Sequence, residues 1–191
     1  MKTVSHSQVV SNDQDLLVLV DSEDQEIGIL DKISCHEGQG VLHRAISVFL
    51  FNLQGQVLVQ QRHKSKALWG GFWSNACCSH PRVNETPLDA AQRRVLEELG
   101  LSVDLRFCFK FEYHANFNET SAEHELCSVF VGKVDSDPVV NKTEISDWQW
   151  VDGDSVSHDV HNDRFDFTPW FKIEWKRLQE YPKMLKGMTH A

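Results

Sequence analysis

Residues 75–81, with the sequence NACCSHP, bring a pair of adjacent cysteines close to a histidine. Cys78 lies two residues before His80, and Cys77 comes directly before Cys78. Such a segment could be a redox pair, a metal site or a catalytic nucleophile, or the cysteines could simply fill the core. A redox pair would ordinarily have the spacing Cys-x-x-Cys, which this segment lacks. The other three interpretations stay open on local sequence.

Histidines and glutamates from other segments could complete a metal site with His80. The segment CHEGQGVLH places His36 and His43 seven residues apart, and EHELC places Glu123 and Glu125 at i and i+2. If Glu125 begins a strand, both carboxylates can point the same way at its edge. Three imidazoles and two carboxylates suit a divalent transition metal such as Zn²⁺ or Mn²⁺. Taken singly, each of the ten histidines is more commonly a surface or core residue, so spacing alone does not establish the site.

Further charged residues that could take part in the chemistry lie in RRVLEELGL, residues 93–101. Arg94 and Glu98 are four residues apart, as are Arg93 and Glu97, so each pair shares one face of a helix. From this stretch alone, solvated ion pairs are the favoured interpretation.

Composition and charge limit the classes of partner. The chain has 191 residues, enough for one domain, and a net charge of −9, which argues against nucleic acid or an anionic membrane as the main partner. A small anionic ligand in a locally basic pocket remains compatible. The sequence shows no apolar run long enough for a membrane span and no signal-peptide pattern. The five cysteines are odd in number and unevenly spaced, so we expect reduced thiols in a cytoplasmic protein.

The reactive residues lie among predicted strands and two helices. Two short strands flank a turn at residues 21–26, and a hairpin joins 46–51 to 57–59 through NLQG. Residues 67–75 are predicted to be a loop or short strand, and later strands are predicted in LRFCFKFEYH, ELCSVFVGKV and ISDWQWV. A central helix begins at Thr86–Pro87 and ends at Gly100, with an apolar stripe of Leu88, Ala91, Val95 and Leu99. A C-terminal helix begins at Thr168–Pro169.

This order of elements predicts an α+β fold in a single domain. We expect a flexible segment at residues 1–14, the folded domain at 15–185 and a tail at 186–191.

The central helix and the residues before it resemble the Nudix box, which implies a mixed β-sheet sandwiched by helices. Ser79 stands where that motif has glycine, and Arg94 stands where it has the glutamate after arginine. In Nudix hydrolases such helix carboxylates hold Mg²⁺ against a diphosphate, so arginine at this position weakens the case for a metal cluster that activates water. The residues that match the motif are Glu85, Arg93, Val95, Glu97, Glu98, Gly100 and Leu101.

Six segments, in order over residues 16–185, resemble type 1 isopentenyl-diphosphate delta-isomerases: HEGQGVLHRA, LFNLQGQVLVQQRHKSKALWGGFWSNACCSHP, RRVLEELG, FEYHA, EHELC and DFTPW. The resemblance implies conversion of isopentenyl diphosphate to dimethylallyl diphosphate by a 1,3 proton shift, in isoprenoid biosynthesis. It makes Cys78, not Cys77, the catalytic cysteine, opposite Glu125. We expect Glu125, assisted by Tyr113, to deliver a proton and Cys78 to take one up, although the roles could be exchanged. Trp170 would lie over the cationic intermediate; from local sequence alone it could equally anchor a helix.

The resemblance also implies the metals and the substrate contacts. The transition metal, Mn²⁺ or Zn²⁺, would bind His36, His43, His80, Glu123 and Glu125. Lys32, Arg62, Lys66 and Arg94 would clamp the diphosphate, and Glu98 would hold a Mg²⁺ that bridges it. The expected partner is therefore a small isoprenyl diphosphate, with neither nucleic acid nor membrane involved, and we expect a monomer or a weak dimer.

Two other functions are compatible with a Nudix-like fold. A Nudix diphosphohydrolase would usually keep glutamate at position 94 and has no use for Cys78. A binding module without activity would lose no turnover on substitution of Cys78 or Glu125.

Overall fold

The computed structural model describes residues 8–189 and contains nine strands and five helices in that range. The strands form a mixed sheet with the helices on both of its faces, so the predicted α+β architecture is confirmed. The elements in chain order are β1 Leu16–Val20, β2 Glu26–Asp31, α1 Lys32–His36, β3 His43–Phe51, β4 Val57–Arg62, β5 Trp73–Asn75, β6 Cys77–Ser79, α2 Pro87–Leu99, β7 Leu105–Asn118, β8 Ser121–Lys133, β9 Ile145–Val151, α3 Gly153–His161, α4 Pro169–Leu178 and α5 Pro182–Thr189.

Strand β3 is the centre of the sheet and the scaffold of the site. It pairs in parallel with β8 along its whole length, with His43 opposite Glu125. On its other edge it pairs antiparallel with β6, with Ser47 opposite Cys78. Because successive side chains of a strand point to opposite faces, His43 and Ser47 share one face. The same pairing brings residues from β6 and β8 to that face.

The two faces of the sheet carry separate hydrophobic cores. Ala45, Phe49 and Phe51 of β3 pack with α4 and α5 on one face. Ile46, Val48 and Leu50 pack against α2 on the other face. Their alternation explains why β3 is a nearly continuous apolar run: both of its faces are buried.

Helix α2 begins and ends where the sequence predicts. The Thr86 side chain accepts a hydrogen bond from the Asp89 backbone N–H, and Gly100 has the left-handed conformation that ends the helix. The predicted apolar stripe is partly wrong, because Leu88 is 39% exposed whereas Ala91, Val95 and Leu99 are fully buried. Leu88 lies in the first turn, beyond the edge of the sheet-facing core.

Three further predictions differ from the structure. Strands β3 and β4 are paired only at Phe51 and Val57, because β4 then turns away to pair with β5 and β9. The predicted C-terminal helix is two helices, since the chain turns at residues 179–181 before Pro182 begins α5. Helices α1 and α3 were not predicted; α1 has only five residues and therefore little periodicity.

The predicted flexible segment, residues 1–14, and the predicted tail, residues 186–191, are described only in part. Residues 1–7 and 190–191 lie outside it, and Val10 and Ser11 contact the folded domain. Helix α5 includes residues 186–189, with Met188 buried in the core. None of the helices in residues 8–189 has the length and apolar character needed to cross a bilayer.

Candidate active site

The two adjacent cysteines occupy opposite faces of β6. Cys77 is fully buried on the α2 side, with its Sγ 3.4 Å from Glu98 Oε1. Cys78 points to the other face, where it packs with the α4 core and lines a cavity. Only Cys78 therefore has access to a ligand in this cavity.

Polar groups surround the Cys78 sulfur. Its thiol lies 3.0 Å from the Asn75 Oδ1 acceptor, and the Trp170 indole N–H donates to the sulfur from 3.2 Å. The Ser47 hydroxyl lies 3.7 Å away. Burial, reinforced by the nearby Glu174 carboxyl group, raises the pKa of Cys78 to about 12, so the thiol keeps its proton when no ligand is bound.

The predicted metal ligands converge at one point. A ligand atom from each side chain lies within 4.8 Å of all the others, although the residues come from α1, β3, β8 and the segment after β6. The Nδ1 atoms of His36 and His43 lie 2.6 and 2.7 Å from the backbone carbonyls of Lys32 and Val41. These carbonyls require Nδ1–H, which directs the lone pair of each Nε2 to the cluster. The five residues are His36, His43, His80, Glu123 and Glu125.

The chemistry of this cluster fits a divalent metal. His43 is fully buried, and its Nε2 has no hydrogen-bond partner among the described residues. Burial lowers the pKa of His43 to about 4 and that of His80 well below 6.5, so both imidazoles are neutral, as ligation requires. A buried, neutral and unpartnered imidazole nitrogen beside two carboxylates is a costly arrangement that a cation would relieve.

Glu125 lies between the metal-type cluster and the cavity. Its Oε1 is 3.1 Å from His80 Nε2, and its Oε2 accepts a 2.7 Å hydrogen bond from the Tyr113 hydroxyl. Burial and the adjacent Glu123 raise the pKa of Glu125 well above its ordinary value. The pKa of Glu123 is lowered instead, since His36 Nε2 lies 2.7 Å from Glu123 Oε2.

Cys78 and Glu125 share one cavity of about 830 Å³. Tyr113 and Trp170 also line it. The edge of Trp69 packs on Trp170, and Phe111 stacks on Tyr113, so aromatic side chains support this end of the cavity. The four residues with predicted catalytic roles are therefore brought to one volume.

Four cations line the same cavity. They are Lys32, Arg62, Lys66 and Arg94, whose contacts with a diphosphate stay a prediction. Burial lowers the pKa of Lys32, and repulsion from Lys66 and Arg94 lowers it further. The Arg62 guanidinium lies 5.2 Å from the centroid of Trp170, on one face of the indole, and its Nε has no partner within residues 8–189. One face of Trp170 thus already holds a cation from the protein.

The Arg94–Glu98 pair is not the solvated ion pair that the local sequence favours. Both side chains are buried, and Arg94 Nη2 lies 2.6 Å from Glu98 Oε1. Arg94 also contacts Glu97, Glu144 and the Val10 carbonyl. Glu98 does not line the cavity and lies outside the five-residue cluster, so its expected contact with Mg²⁺ stays a prediction.

Three buried polar residues near the site were not predicted. Glu144 pairs with Lys66 and lies 3.6 Å from Arg94, which holds two cations of the clamp together. Ser47 and Glu174 are hydrogen-bonded to each other at 2.7 Å behind Cys78. The sequence did carry a signal for Glu174. It lies four positions after Trp170 and four before Leu178, so helical spacing places this carboxyl group on the apolar, buried face of α4. Glu144 and Ser47 had none in a single sequence.

Comparisons with known proteins identify the relatives of this chain. The NUDIX domain family model matches residues 41–171. The chain is 42% identical over 161 residues to Isopentenyl-diphosphate Delta-isomerase 1 of Photorhabdus laumondii, covering 83% of this chain and 92% of that protein. It is 38% identical to the Isopentenyl-diphosphate Delta-isomerase of Pectobacterium atrosepticum, covering 90% and 95%. Among solved structures, DR0079 of Deinococcus radiodurans superposes with a TM-score of 0.71 at 19% identity, covering 85% of this chain and 98% of that one, which shows the shared fold.

Proposed function

The chain belongs to the isopentenyl-diphosphate Delta-isomerase family, within the NUDIX fold, and we propose that its cavity converts isopentenyl diphosphate to dimethylallyl diphosphate. The observation that carries this proposal is the shared cavity of Cys78 and Glu125, which is lined both by the aromatic side chains of Tyr113 and Trp170 and by four cations. The aromatic side chains suit a hydrocarbon chain, and the cations suit a diphosphate.

The reaction needs a strong acid in a dry place, because an isolated alkene is a very poor base. The Glu125 carboxyl proton forms the new C–H bond at the terminal alkene carbon, and the double-bond electrons are used in that bond. The resulting tertiary carbocation loses a proton from C2, and the electrons of that C–H bond form the new double bond. The raised pKa of Glu125 supports its role as the acid, and the Tyr113 hydroxyl stabilises the carboxylate that remains.

Cys78 is the group that takes the proton from C2, as a thiolate whose own proton has first been released to solvent through the cavity. The Trp170 N–H can donate to a thiolate, and Ser47 Oγ lies within reach of the sulfur. A carbocation beside the sulfur also favours the thiolate, since opposite charge lowers the pKa of a thiol. These local factors oppose the burial that keeps the free thiol protonated.

The four cations bind the diphosphate and thereby fix the position of the alkene between the two reacting groups. Arg62 and Arg94 offer guanidinium groups suited to bidentate phosphate contacts, and Lys32 and Lys66 act as point charges. Glu144 holds Lys66 and Arg94 in place before the substrate arrives.

The metal site would be formed by the three histidines with Glu123 and Glu125, and would hold Mn²⁺ or Zn²⁺. A metal held there would polarise and orient the Glu125 carboxyl group rather than activate water. We also propose that Mg²⁺ enters with the diphosphate and that Glu98 is its protein ligand.

The environment of the enzyme follows from its charge and its thiols. A net charge of −9 suits a small-molecule enzyme that binds neither nucleic acid nor anionic membranes. All five cysteines are free, which suits the reducing cytoplasm. We expect a monomer or a weak dimer, which size-exclusion chromatography with light scattering would decide.

Incubation with isopentenyl diphosphate, followed by NMR of the products, tests the function directly. We expect dimethylallyl diphosphate with the diphosphate intact. Release of phosphate without an allylic product would instead support a Nudix diphosphohydrolase, and binding without any turnover would support a binding module. Arg94 disfavours the hydrolase, because it places a cation at a helix position where a Nudix hydrolase usually has a glutamate.

A further inference from the structure

Glu174 is a fully buried carboxyl group behind Cys78 that the reaction described above does not use. It lies on the apolar face of α4, between Phe171 and Trp175, and its side chain is 0% exposed. Its Oε2 is 2.7 Å from Ser47 Oγ, and its Oε1 accepts a weak hydrogen bond from the Cys127 thiol at 3.6 Å. Within residues 8–189 it forms no ion pair with a lysine, arginine or histidine. Ionised, it would therefore be a buried charge without a counterion, which is costly.

Ser47 has only one hydrogen and two possible acceptors for it. The Asn75 side-chain amide donates to Ser47 Oγ at 2.8 Å, so one lone pair of the hydroxyl is already used. The Ser47 hydrogen can then go to Glu174 at 2.7 Å or to the Cys78 sulfur at 3.7 Å. An ionised Glu174 is acceptor-only and takes this hydrogen. A protonated Glu174 can donate its own hydrogen to the second lone pair of Ser47, which frees the Ser47 hydrogen for the sulfur.

We propose that protonated Glu174 is a positioning residue that turns the Ser47 hydroxyl onto Cys78 Sγ, where it stabilises the thiolate that then takes up the substrate proton. This inference rests on the proposed function. The Cys127 thiol donates to Oε1, which leaves Oε2, the oxygen facing Ser47, as the site of the proton. Burial raises the pKa of Glu174 to about 8, which keeps it protonated at neutral pH.

The groups that face Glu174 belong to two strands. Cys78 comes from β6, and Cys127 and Glu125 come from β8. A negative charge on Glu174 would oppose the deprotonation of each of these groups and would raise the pKa of all three. Loss of the Glu174 proton is therefore expected to remove the hydrogen bond from the sulfur and to place an anion behind it.

Two substitutions of Glu174 separate hydrogen-bond donation from packing. Glu174→Gln keeps a donor towards Ser47 and an acceptor towards Cys127, so we expect its kcat below pH 8 to stay within about threefold of the natural enzyme. Glu174→Met fills similar space without a donor, so we expect kcat to fall about tenfold with KM unchanged, the effect of one lost hydrogen bond. Thermal unfolding of both variants checks that they are folded.

The pH profile is the decisive measurement. As pH rises through about 8, the natural enzyme should lose kcat as Glu174 ionises, whereas Glu174→Gln should not, so that the ratio of variant to natural kcat rises. Ser47→Ala should lower kcat about tenfold and abolish this difference between Glu and Gln at position 174. The same ratio above and below pH 8 would overturn the inference.

Difference infrared spectroscopy gives a readout that does not depend on activity. We expect the carbonyl stretch of a protonated carboxyl group that disappears in Glu174→Gln and is lost from the natural protein near pH 8. Absence of that band at pH 6 would also overturn the inference. If the natural protein makes no allylic product at all, the proposed function fails, which the infrared band distinguishes from failure of the Glu174 inference.

Discussion

Cys77 and Cys78 are neighbours in the chain, but their side chains lie on opposite faces of the sheet. Cys77 packs against α2 and contacts Glu98, whereas Cys78 lines the cavity with Glu125. The pleat of strand β6 is the cause, since consecutive residues of a strand alternate between faces. A shift of the β6 register by one residue would exchange the two thiols.

We expect Cys78→Ala to lower turnover of isopentenyl diphosphate by about 10²–10⁴-fold, because the group that takes the C2 proton is lost. Cys77→Ala is the matched control, one residue away. It should keep turnover within a few-fold and cost about 1 kcal/mol of stability through the small cavity it leaves. NMR product assays and thermal unfolding measure both, and equal loss of turnover from the two variants would mean that the register assignment is wrong.

The sequence predicted local structure well wherever a local signal decides it. Thr86, Pro87 and Gly100 mark the ends of α2 because capping depends on a few adjacent residues. The hairpin of β3 and β4 is confirmed only next to its turn, because both strands are apolar on both faces and their other partners, β8, β6 and β9, come from distant parts of the chain. Local sequence does not predict pairing with strands that are distant in the chain.

The same division applies to the site. The parallel pairing of β3 with β8 brings His43 to the two glutamates, whereas His80 follows β6 and His36 lies on α1. Spacing alone therefore could not place the five residues; the resemblance to a family could. Arg94 and Glu98 look like a surface pair by spacing, yet both are buried, and Arg94 contacts the Val10 carbonyl and Glu144. Burial of a charged helix face is a tertiary property.

Removal of metal should abolish turnover, and added Mn²⁺ or Zn²⁺ should restore it. His43→Ala should lower bound metal from about one equivalent to a small fraction, since it removes a buried ligand with no other partner. His158→Ala, at an exposed position on α3, is the control and should leave metal content unchanged. Plasma emission spectrometry measures the metal, and full activity at negligible metal content would contradict the ligand assignment.

Lys66 should affect substrate binding more than the chemical step. Lys66→Gln removes a cation that lines the cavity and pairs with Glu144, so we expect KM to rise about tenfold or more with a smaller change in kcat. Lys64→Gln, at an exposed position two residues earlier, should leave both constants unchanged. Steady-state kinetics at low and high salt would test this, and an unchanged KM for Lys66→Gln would remove Lys66 from the clamp.

Trp170 has two separable contributions. Trp170→Phe keeps an aromatic face but loses the indole N–H that donates to Cys78 Sγ at 3.2 Å and to Ser74 Oγ at 3.0 Å. We expect kcat to fall about tenfold or more, as for the loss of a hydrogen bond to a developing charge. Trp150→Phe, which loses a hydrogen bond to Asp137 elsewhere in the fold, is the control and should retain kcat. An unchanged kcat, whatever the change in KM, would indicate that the indole N–H has no part in the chemical step.

Glu174 should also leave a mark on the pH dependence of stability. Its pKa is raised from 4.5 to about 8 in the folded protein, so between these values the folded state holds a proton that the unfolded state has released. Its contribution therefore favours folding most at low pH and is lost as pH rises from about 4.5 to about 8. Glu174→Gln has no such titration, so its stability relative to the natural protein should increase across this interval, by more than about 1 kcal/mol, and then level off. Urea unfolding of both proteins at pH 5, 7 and 9 measures the difference, in which the titrations shared by both proteins, including that of Glu125, largely cancel. A constant difference at all three values would show that Glu174 is ionised in the folded protein, and the Ser47 hydrogen would then belong to Glu174 and not to Cys78.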